Sequence, residues 1–351
     1  MHPVQHRAVL LLPRGEDHRP FPRGHRPAGA KRQGSRVQGA EGPRGMKKGR
    51  IPPTPTRNSD SDFFSSDPRP LGPFYSRLRP ANGQLMIQTL ATVIRNEMIA
   101  PGYGRVALAC GEGLSRARPG QFVMLGFTDA IDPLLRRPFS IHRLLAGEAE
   151  AHGIEVLYKV VGHATRRLSR VSTGEALSLL GPLGRGFQVP PGVKRLSCVA
   201  GGFGIAPFVF LAEWLQGRPS APAVTEIFLG GRSQDDLLCT ADFERLGIPV
   251  RLTTDDGSCG EQCRVTDPFA AALERERPDL VLACGPKAML ACVLGIVRAH
   301  RIPCQLSIEA MMACGMGACL GCAVEGRRDP SRFLHACVDG PVFDAEEIDL
   351  G

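Results

Sequence analysis

The chain has 351 residues, room for two or three domains at about 100–200 residues each. Its 43% hydrophobic and 22% charged content is globular, and no run approaches the roughly 18 uncharged apolar residues of a membrane helix, so a helical span is excluded. The net charge of +8 first looks like a nucleic-acid footprint. Residues 1–85 hold 16 Lys+Arg against 6 Asp+Glu, and the remaining residues 27 against 29, so the basic excess belongs to the N-terminal stretch and no nucleic-acid partner is expected.

That stretch carries 13 of the 30 prolines and 10 of the 41 glycines without a sustained apolar period. It cannot bury enough apolar surface to offset the entropy of ordering, so residues 1–85 are expected to be a disordered extension. The apolar run Ala8–Leu12 is too short for a secretory core, so a cytoplasmic location is expected. An over-extended start explains the stretch better than a transit peptide, because the first clear strand pattern begins just after Met86.

From Gln88 to about Pro190, short β-rich runs are broken by Gly, Pro and Asp: Thr89–Arg95, Arg105–Ala109, Gln121–Phe127, Pro138–His142 and Ile154–Val161. Spacing this close predicts a small antiparallel barrel over 86–190, with one helical interruption at Thr165–Val171. After Pro191 the rhythm changes. Strands are predicted at Arg195–Ala200, Glu226–Leu229, Val250–Thr254 and Leu280–Cys284, and helices at Pro207–Leu215, Asp267–Glu276 and Lys287–His300. This alternation predicts a parallel-sheet α/β domain over 191–303. Gln305–Glu309 reads as one last strand, opening a small C-terminal segment over 304–351.

Eight of the twelve cysteines are scattered singly, mostly within apolar runs, and read as small buried hydrophobes; Cys259 and Cys263 instead lie in a loop. The other four form a pattern: Cys314-x4-Cys319-x2-Cys322, then Cys337 after fourteen residues. This is the plant-type spacing of a [2Fe–2S] cluster. A tight loop delivers three thiolates and a distant residue closes the fourth corner. Small residues (Ala313, Gly315, Gly317, Ala318, Gly321) let backbone N–H groups approach the sulfurs. Structural zinc would also accept four thiolates but usually takes them as two separate C-x2-4-C pairs. Here three cysteines share one loop and a single distant one completes the set; disulfides are disfavoured without a secretion signal.

Arg137-Pro138-Phe139-Ser140 lies on a predicted strand, where arginine can neutralise a pyrophosphate, the aromatic cover a flavin ring and the hydroxyl bond its edge. A charged strand end beside a core Phe is the plainer reading. Leu157-Tyr158-Lys159-Val160-Val161-Gly162-His163-Ala164-Thr165 runs from strand into helix, where Thr165 and free N–H groups can hold phosphate oxygens. Gly201-Gly202-Phe203-Gly204 sits at a strand-to-helix junction and reads equally as nucleotide loop or tight turn, since it lacks G-x-G-x-x-G spacing. Cys284-Gly285-Pro286 ends a later strand, where open α/β sheets bind ligands, and Cys284 either touches a nicotinamide or packs.

Together these residues make the region from about 88 onward resemble the ferredoxin reductase-like flavoproteins and, more narrowly, the electron-transfer subunits of bacterial NAD-dependent dihydroorotate dehydrogenases. The resemblance rests on 137–140, 158–162, Gly-Pro-Leu-Gly-Arg-Gly-Phe at 181–187, 201–204, Asp-Asp-Gly-Ser at 255–258 and 284–286. Its most specific parts are Met-Ala-Cys-Gly-Met-Gly-Ala-Cys-Leu-Gly-Cys at 312–322 and Cys-Val-Asp-Gly-Pro-Val-Phe at 337–343.

The resemblance implies an FAD barrel, an NAD-binding α/β domain and a [2Fe–2S] segment. The expected FAD contacts are Arg137, Pro138, Phe139, Ser140, Leu157, Tyr158, Lys159, Gly162, Ala164 and Thr165. The expected nucleotide contacts are Gly201, Gly202, Gly204, Cys284 and Gly285, and the cluster ligands Cys314, Cys319, Cys322 and Cys337. It further implies an FMN-containing catalytic partner that oxidises dihydroorotate in pyrimidine synthesis, in a heterotetramer, with electrons passing through cluster and FAD to NAD. No general base is expected in this chain. Two departures stand out: the family's Gly-x-Gly-Thr is Gly162-His163-Ala164-Thr165 here, and Phe203 replaces a further glycine. The rivals are an electron-transfer subunit of a hydrogenase, a sulfite reductase or a ferredoxin–NADP transhydrogenase, and a zinc-bearing interaction module.

Overall fold

The computed structural model describes residues 76–78, 86–128, 132–145, 153–216, 218, 221–329 and 331–350. The expectation of disorder for residues 1–85 therefore lies outside the described residues, with one exception. Ser76–Leu78 form a strand, β1, paired antiparallel with Met86–Gln88. Composition had not announced it.

Strands β2 (Met86–Ala100), β3 (Tyr103–Ala109), β4 (Phe122–Phe127), β5 (Arg137–Leu145), β6 (Gly153–Lys159) and β7 (Ala176–Leu183) form an antiparallel barrel in the order β2-β3-β6-β5-β4-β7, closed by β7 returning to β2. The long β2 makes closure possible. Its first half pairs with β7 (Ile87 with Gly181) and its second with β3 (Thr92 with Ala109), and register shifts at Val93/Arg95 and Met98/Ala100 bend it between the two. Alternate residues of β2 point inward: Ala91 and Val93 are buried while Leu90 and Ile94 face out. Strand β7 is absent from the sequence expectations. Helix α1 (His163–Leu168) lies between β6 and β7 and begins two residues earlier than expected.

The second sheet runs β10-β9-β8-β11-β12-β15, from strands β8 (Arg195–Gly201), β9 (Ala223–Gly231), β10 (Val250–Thr254), β11 (Leu280–Cys284), β12 (Cys304–Ser307) and β15 (Val342–Asp344). The first five are parallel and β15 is antiparallel. Helices α2 (Ala206–Gln216) and α3 (Thr240–Arg245) cover one face; α4 (Thr266–Leu273) and α5 (Lys287–Ala299) cover the other. The period-2 pleat of β8 sorts the faces: Leu196, Cys198 and Ala200 pack toward α2, and Val199 toward α4 and α5. β12 and β15 both come from the expected C-terminal segment, so pairing ties that segment to the sheet edge. Between them β13 (Ala323–Glu325) and β14 (Phe333–His335) form a small hairpin.

Of the eight single cysteines, Cys110, Cys198, Cys284 and Cys304 are buried as expected. Cys239, Cys259 and Cys263 are only partly buried, and Cys292 is exposed, because it shares the i, i+3/i+4 face of α5 with Met289 and Ala288. Among the described residues no helix is long and apolar enough to cross a membrane.

Gly204 lets the turn after β8 touch the end of β11: a Cβ there would lie 2.2 Å from the Cys284 carbonyl oxygen. Gly204→Ala is expected to destabilise the protein by about 1–3 kcal/mol through overpacking. Gly295→Ala, at an open position on α5, should stabilise it by up to about 1 kcal/mol. Urea unfolding of both variants checks the contrast.

Candidate functional site

A cleft of about 990 Å³ opens between the barrel and the carboxyl ends of the parallel strands. Its barrel wall carries Arg137, Pro138, Phe139, Lys159, Gly162, Ala164 and Thr165; its sheet wall carries Gly201 and Gly202. Nine of the expected contacts thus meet in one cavity.

The other six do not line it. Leu157 and Tyr158 have fully buried side chains, and the Tyr158 hydroxyl donates to Asn96 Oδ1 at 2.9 Å. Ser140 lies on β5 outside the lining. Gly204 serves the close approach described above, and Gly285 crosses against the Gly201 backbone. Cys284 packs: burial pushes its thiol up to about 12, against a hydrogen bond to Ser307. Sequence order alone cannot separate residues that face a cavity from neighbours that hold its wall.

Thr165, on the cleft lining, also has a local task. Its Oγ1 accepts from the N–H groups of Val161 (2.9 Å) and Gly162 (3.1 Å), so the hydroxyl closes the turn that starts α1. The N–H groups of His163, Ala164 and Thr165 have no preceding helical carbonyl, so this first turn can receive an anion. Arg137 stands opposite, its Nη1 donating to the Leu135 carbonyl at 2.7 Å.

Beside Lys159 stand lining residues that were not named as contacts from the sequence, Tyr103, Arg232, Asp236 and Thr253. Tyr103 donates to Asp236, Lys159 Nζ lies 2.5 Å from the Tyr103 hydroxyl and 3.4 Å from Asp236 Oδ1, and Arg232 Nε reaches Asp236 Oδ2 at 3.0 Å. Burial alone would raise the Asp236 pKa, but hydrogen bonds from Arg232 and Tyr103 outweigh it and hold the carboxyl well below its usual range. Thr253 Oγ1 is buried without a hydrogen-bond partner in the cleft wall, beside Gly230. An orphaned hydroxyl there fits a ligand that brings its own polar group. Asp255, Arg264 and Glu309 complete this side, with Cys263 and Cys292 also on the lining.

The four spaced cysteines converge on a loop at the other edge of the sheet. Cys319 lies beside Cys314, and Cys322 beside Cys337. Four thiols gathered in one loop with backbone N–H groups around them are a donor set that would hold an iron–sulfur centre. Backbone N–H groups point at the sulfurs: Met316 and Cys319 to Cys314 at 3.4 Å, Gly317 to Cys337 at 3.2 Å, and Cys337 to Cys322 at 3.4 Å. Burial opposes ionisation of Cys314, but these N–H groups bring its thiol down to about 7. Burial and the neighbouring Cys322 push Cys337 up to about 12. The loop needs Gly315 at φ +73°, where a Cβ would strike Met124 on β4 at 2.6 Å.

Comparison with known proteins agrees with this geometry. The family model "Iron-sulfur cluster binding domain of dihydroorotate dehydrogenase B" matches residues 309–349, and "Oxidoreductase NAD-binding domain" matches 198–294. The electron transfer subunit of dihydroorotate dehydrogenase B (NAD(+)) from Desulforamulus reducens is 33% identical over 259 residues, 74% of this chain and 97% of the relative. This chain belongs to that family. The same subunit from Listeria monocytogenes serotype 4a is 36% identical over 76% of this chain and its own whole length. Among solved structures, an NADH-dependent reduced ferredoxin-NADP oxidoreductase aligns with a TM-score of 0.64 and 28% identity, covering 74% of this chain and 90% of that one.

A carboxylate whose pKa is depressed by folding stabilises the fold above its unfolded pKa of about 4, and that contribution is lost as the pH falls. Asp236→Asn is accordingly expected to cost about 1–3 kcal/mol at neutral pH, with the gap to the parent closing below about pH 4. Denaturant unfolding at several pH values measures it.

Proposed function

We propose that this chain is the electron-transfer subunit of an NAD-dependent dihydroorotate dehydrogenase, working with an FMN-containing catalytic subunit in a heterotetramer in the cytoplasm. The observation that carries the reading is one polypeptide holding a two-walled nucleotide cleft and, five residues beyond Glu309 in that cleft, two pairs of cysteines with N–H groups aimed at their sulfurs. When bound, FAD supplies exchange of electrons singly with an iron–sulfur centre and in pairs with a nicotinamide.

The chain's own residues hold and orient. Arg137 and the first turn of α1 take the flavin pyrophosphate, Phe139 and Pro138 cover the ring system, and Lys159 is fixed by Tyr103 and Asp236 at the barrel rim. Gly201, Gly202 and Thr253 receive NAD on the sheet wall. Cys314, Cys319, Cys322 and Cys337 would hold the iron–sulfur centre. In this reading the acid–base step on dihydroorotate belongs to the FMN-containing partner, and this chain carries electrons only.

NADH formation from dihydroorotate, with this chain co-purified with the FMN catalytic subunit of the same genome, tests the reading. Activity that needs both chains is expected. A complex reducible by NADH yet inert to dihydroorotate would leave the electron-transfer role standing and overturn the assigned donor. Because cysteine loop and cleft lie on separate segments, Cys319→Ser is expected to lose iron while retaining FAD, read as iron and flavin per chain after desalting.

A further inference from the structure

Where the barrel meets α2 and α3, a buried cluster lies apart from both the cleft and the cysteine loop. His142 on β5 has a fully buried side chain, and its Nδ1 contacts the Ala206 carbonyl oxygen at 2.8 Å. A carbonyl only accepts, so Nδ1 carries the proton. The ring is kept neutral because burial lowers its pKa, and Nε2 therefore presents a lone pair. That lone pair faces the Cys239 thiol in a long sulfur contact of 4.0 Å, with Glu155 Oε1 at 3.8 Å. His142, Cys239 and Asp242 each offer a ligand atom, all within 4.8 Å of one another.

Three further features favour a ligand. A histidine whose Nδ1–H is held by a backbone carbonyl has the tautomer and orientation that metal-bound imidazoles adopt. Cys239 occupies the left-handed region at φ 64°, an uncommon conformation outside glycine, asparagine and aspartate, just ahead of α3. Both arginines that bind Asp242, Arg143 and Arg245, use Oδ1, leaving Oδ2 without a described hydrogen bond.

Charge is compatible. Around the cluster Arg95, Arg105, Arg143 and Arg245 face Glu97, Glu155, Glu213 and Asp242, four against four. A divalent ion together with one thiolate adds a single positive charge.

We propose that His142, Cys239 and Asp242 form a binding site for one zinc-class divalent ion, clamping the barrel to the α2–α3 face of the sheet domain. Imidazole nitrogen, thiolate and carboxylate are the ligand types zinc takes tetrahedrally. Bond lengths of about 2.0–2.3 Å set ligand atoms about 3.3–3.6 Å apart. The Cys239 sulfur, 4.0 Å from His142 Nε2, therefore closes by about half an ångström, and no spacing in the triad exceeds 4.8 Å. On binding, the Cys239 S–H proton leaves to solvent and the sulfur pair bonds the ion, with no electron transferred.

The test uses the full chain carrying its iron–sulfur and flavin groups, exposed to zinc chloride and desalted, with zinc and iron counted and the zinc K-edge recorded. About one zinc per chain is expected, bound by one sulfur and otherwise by nitrogen and oxygen. Cys239→Ser and His142→Ala should each lower retained zinc about tenfold or more with iron per chain unchanged. Zinc missing from the parent protein, equal in parent and variants, or surrounded by four sulfurs would overturn the proposal, the last by placing the metal on the cysteine loop. If a variant fails to fold, the sulfur count at the zinc edge of the parent protein decides alone.

Discussion

The cysteine loop is closed at both ends on one sheet edge, and the rest of the arrangement hangs on that closure. It leaves the sheet at the end of β12 and returns as β15, pairing antiparallel through Gln305–Asp344, Leu306–Phe343 and Ser307–Val342. A loop whose ends are pinned loses most of the entropy that would otherwise oppose gathering four thiols. Its middle then rests on the barrel, where Gly315 meets Met124 and Leu183, while Cys322, Ala336 and Cys337 share one apolar cluster with Phe122, Leu180 and the α5 face of the sheet. Barrel, sheet and cysteine segment are thus packed through one continuous core.

That packing sets the distance over which electrons must pass. Glu309 lines the cleft and Cys314 begins the cysteine set, so even a fully extended backbone separates them by no more than about 18 Å. The cleft sits where a doubly covered parallel sheet offers its carboxyl ends, and the barrel supplies the second wall. Its rim is polarised by the Tyr103–Lys159–Asp236–Arg232 network, which joins β3 and β6 of the barrel to the turn after β9.

A second polar network works between the same two bodies. Glu155, buried on β6, takes Arg95 at 2.8 Å and Arg143 at 3.3 Å, and Arg143 reaches on to Glu213 of α2 and Asp242 of α3. Buried charges of this kind add little net stability, because desolvation offsets their attraction, but an unpaired partner would be costly. They therefore fix the relative seating of barrel and helices more than they strengthen it. The stacked rings of Phe187 and Phe208, 5.5 Å apart, add apolar contact across that junction.

What the sequence alone determined are the features written in short range. The spacing of Cys314, Cys319, Cys322 and Cys337, the change from close strands to alternating strands and helices near residue 190, and the turn that starts α1 were all legible, because each depends on neighbours within a few dozen residues. Tertiary structure alone decided the rest. Strand β7 is recognisable only through its pairing with β2 and β4; Tyr103 and Asp236 are 133 residues apart, and His142 and Cys239 are 97 apart. The sequence named Leu157, Tyr158, Cys284 and Gly204 beside residues that truly line the cleft, since adjacent strand residues point to opposite sides and only the packed neighbours decide which side is the cavity. Local pattern specifies which chemistry a segment can carry; which groups meet is set by burial and by strand partners that lie far along the chain.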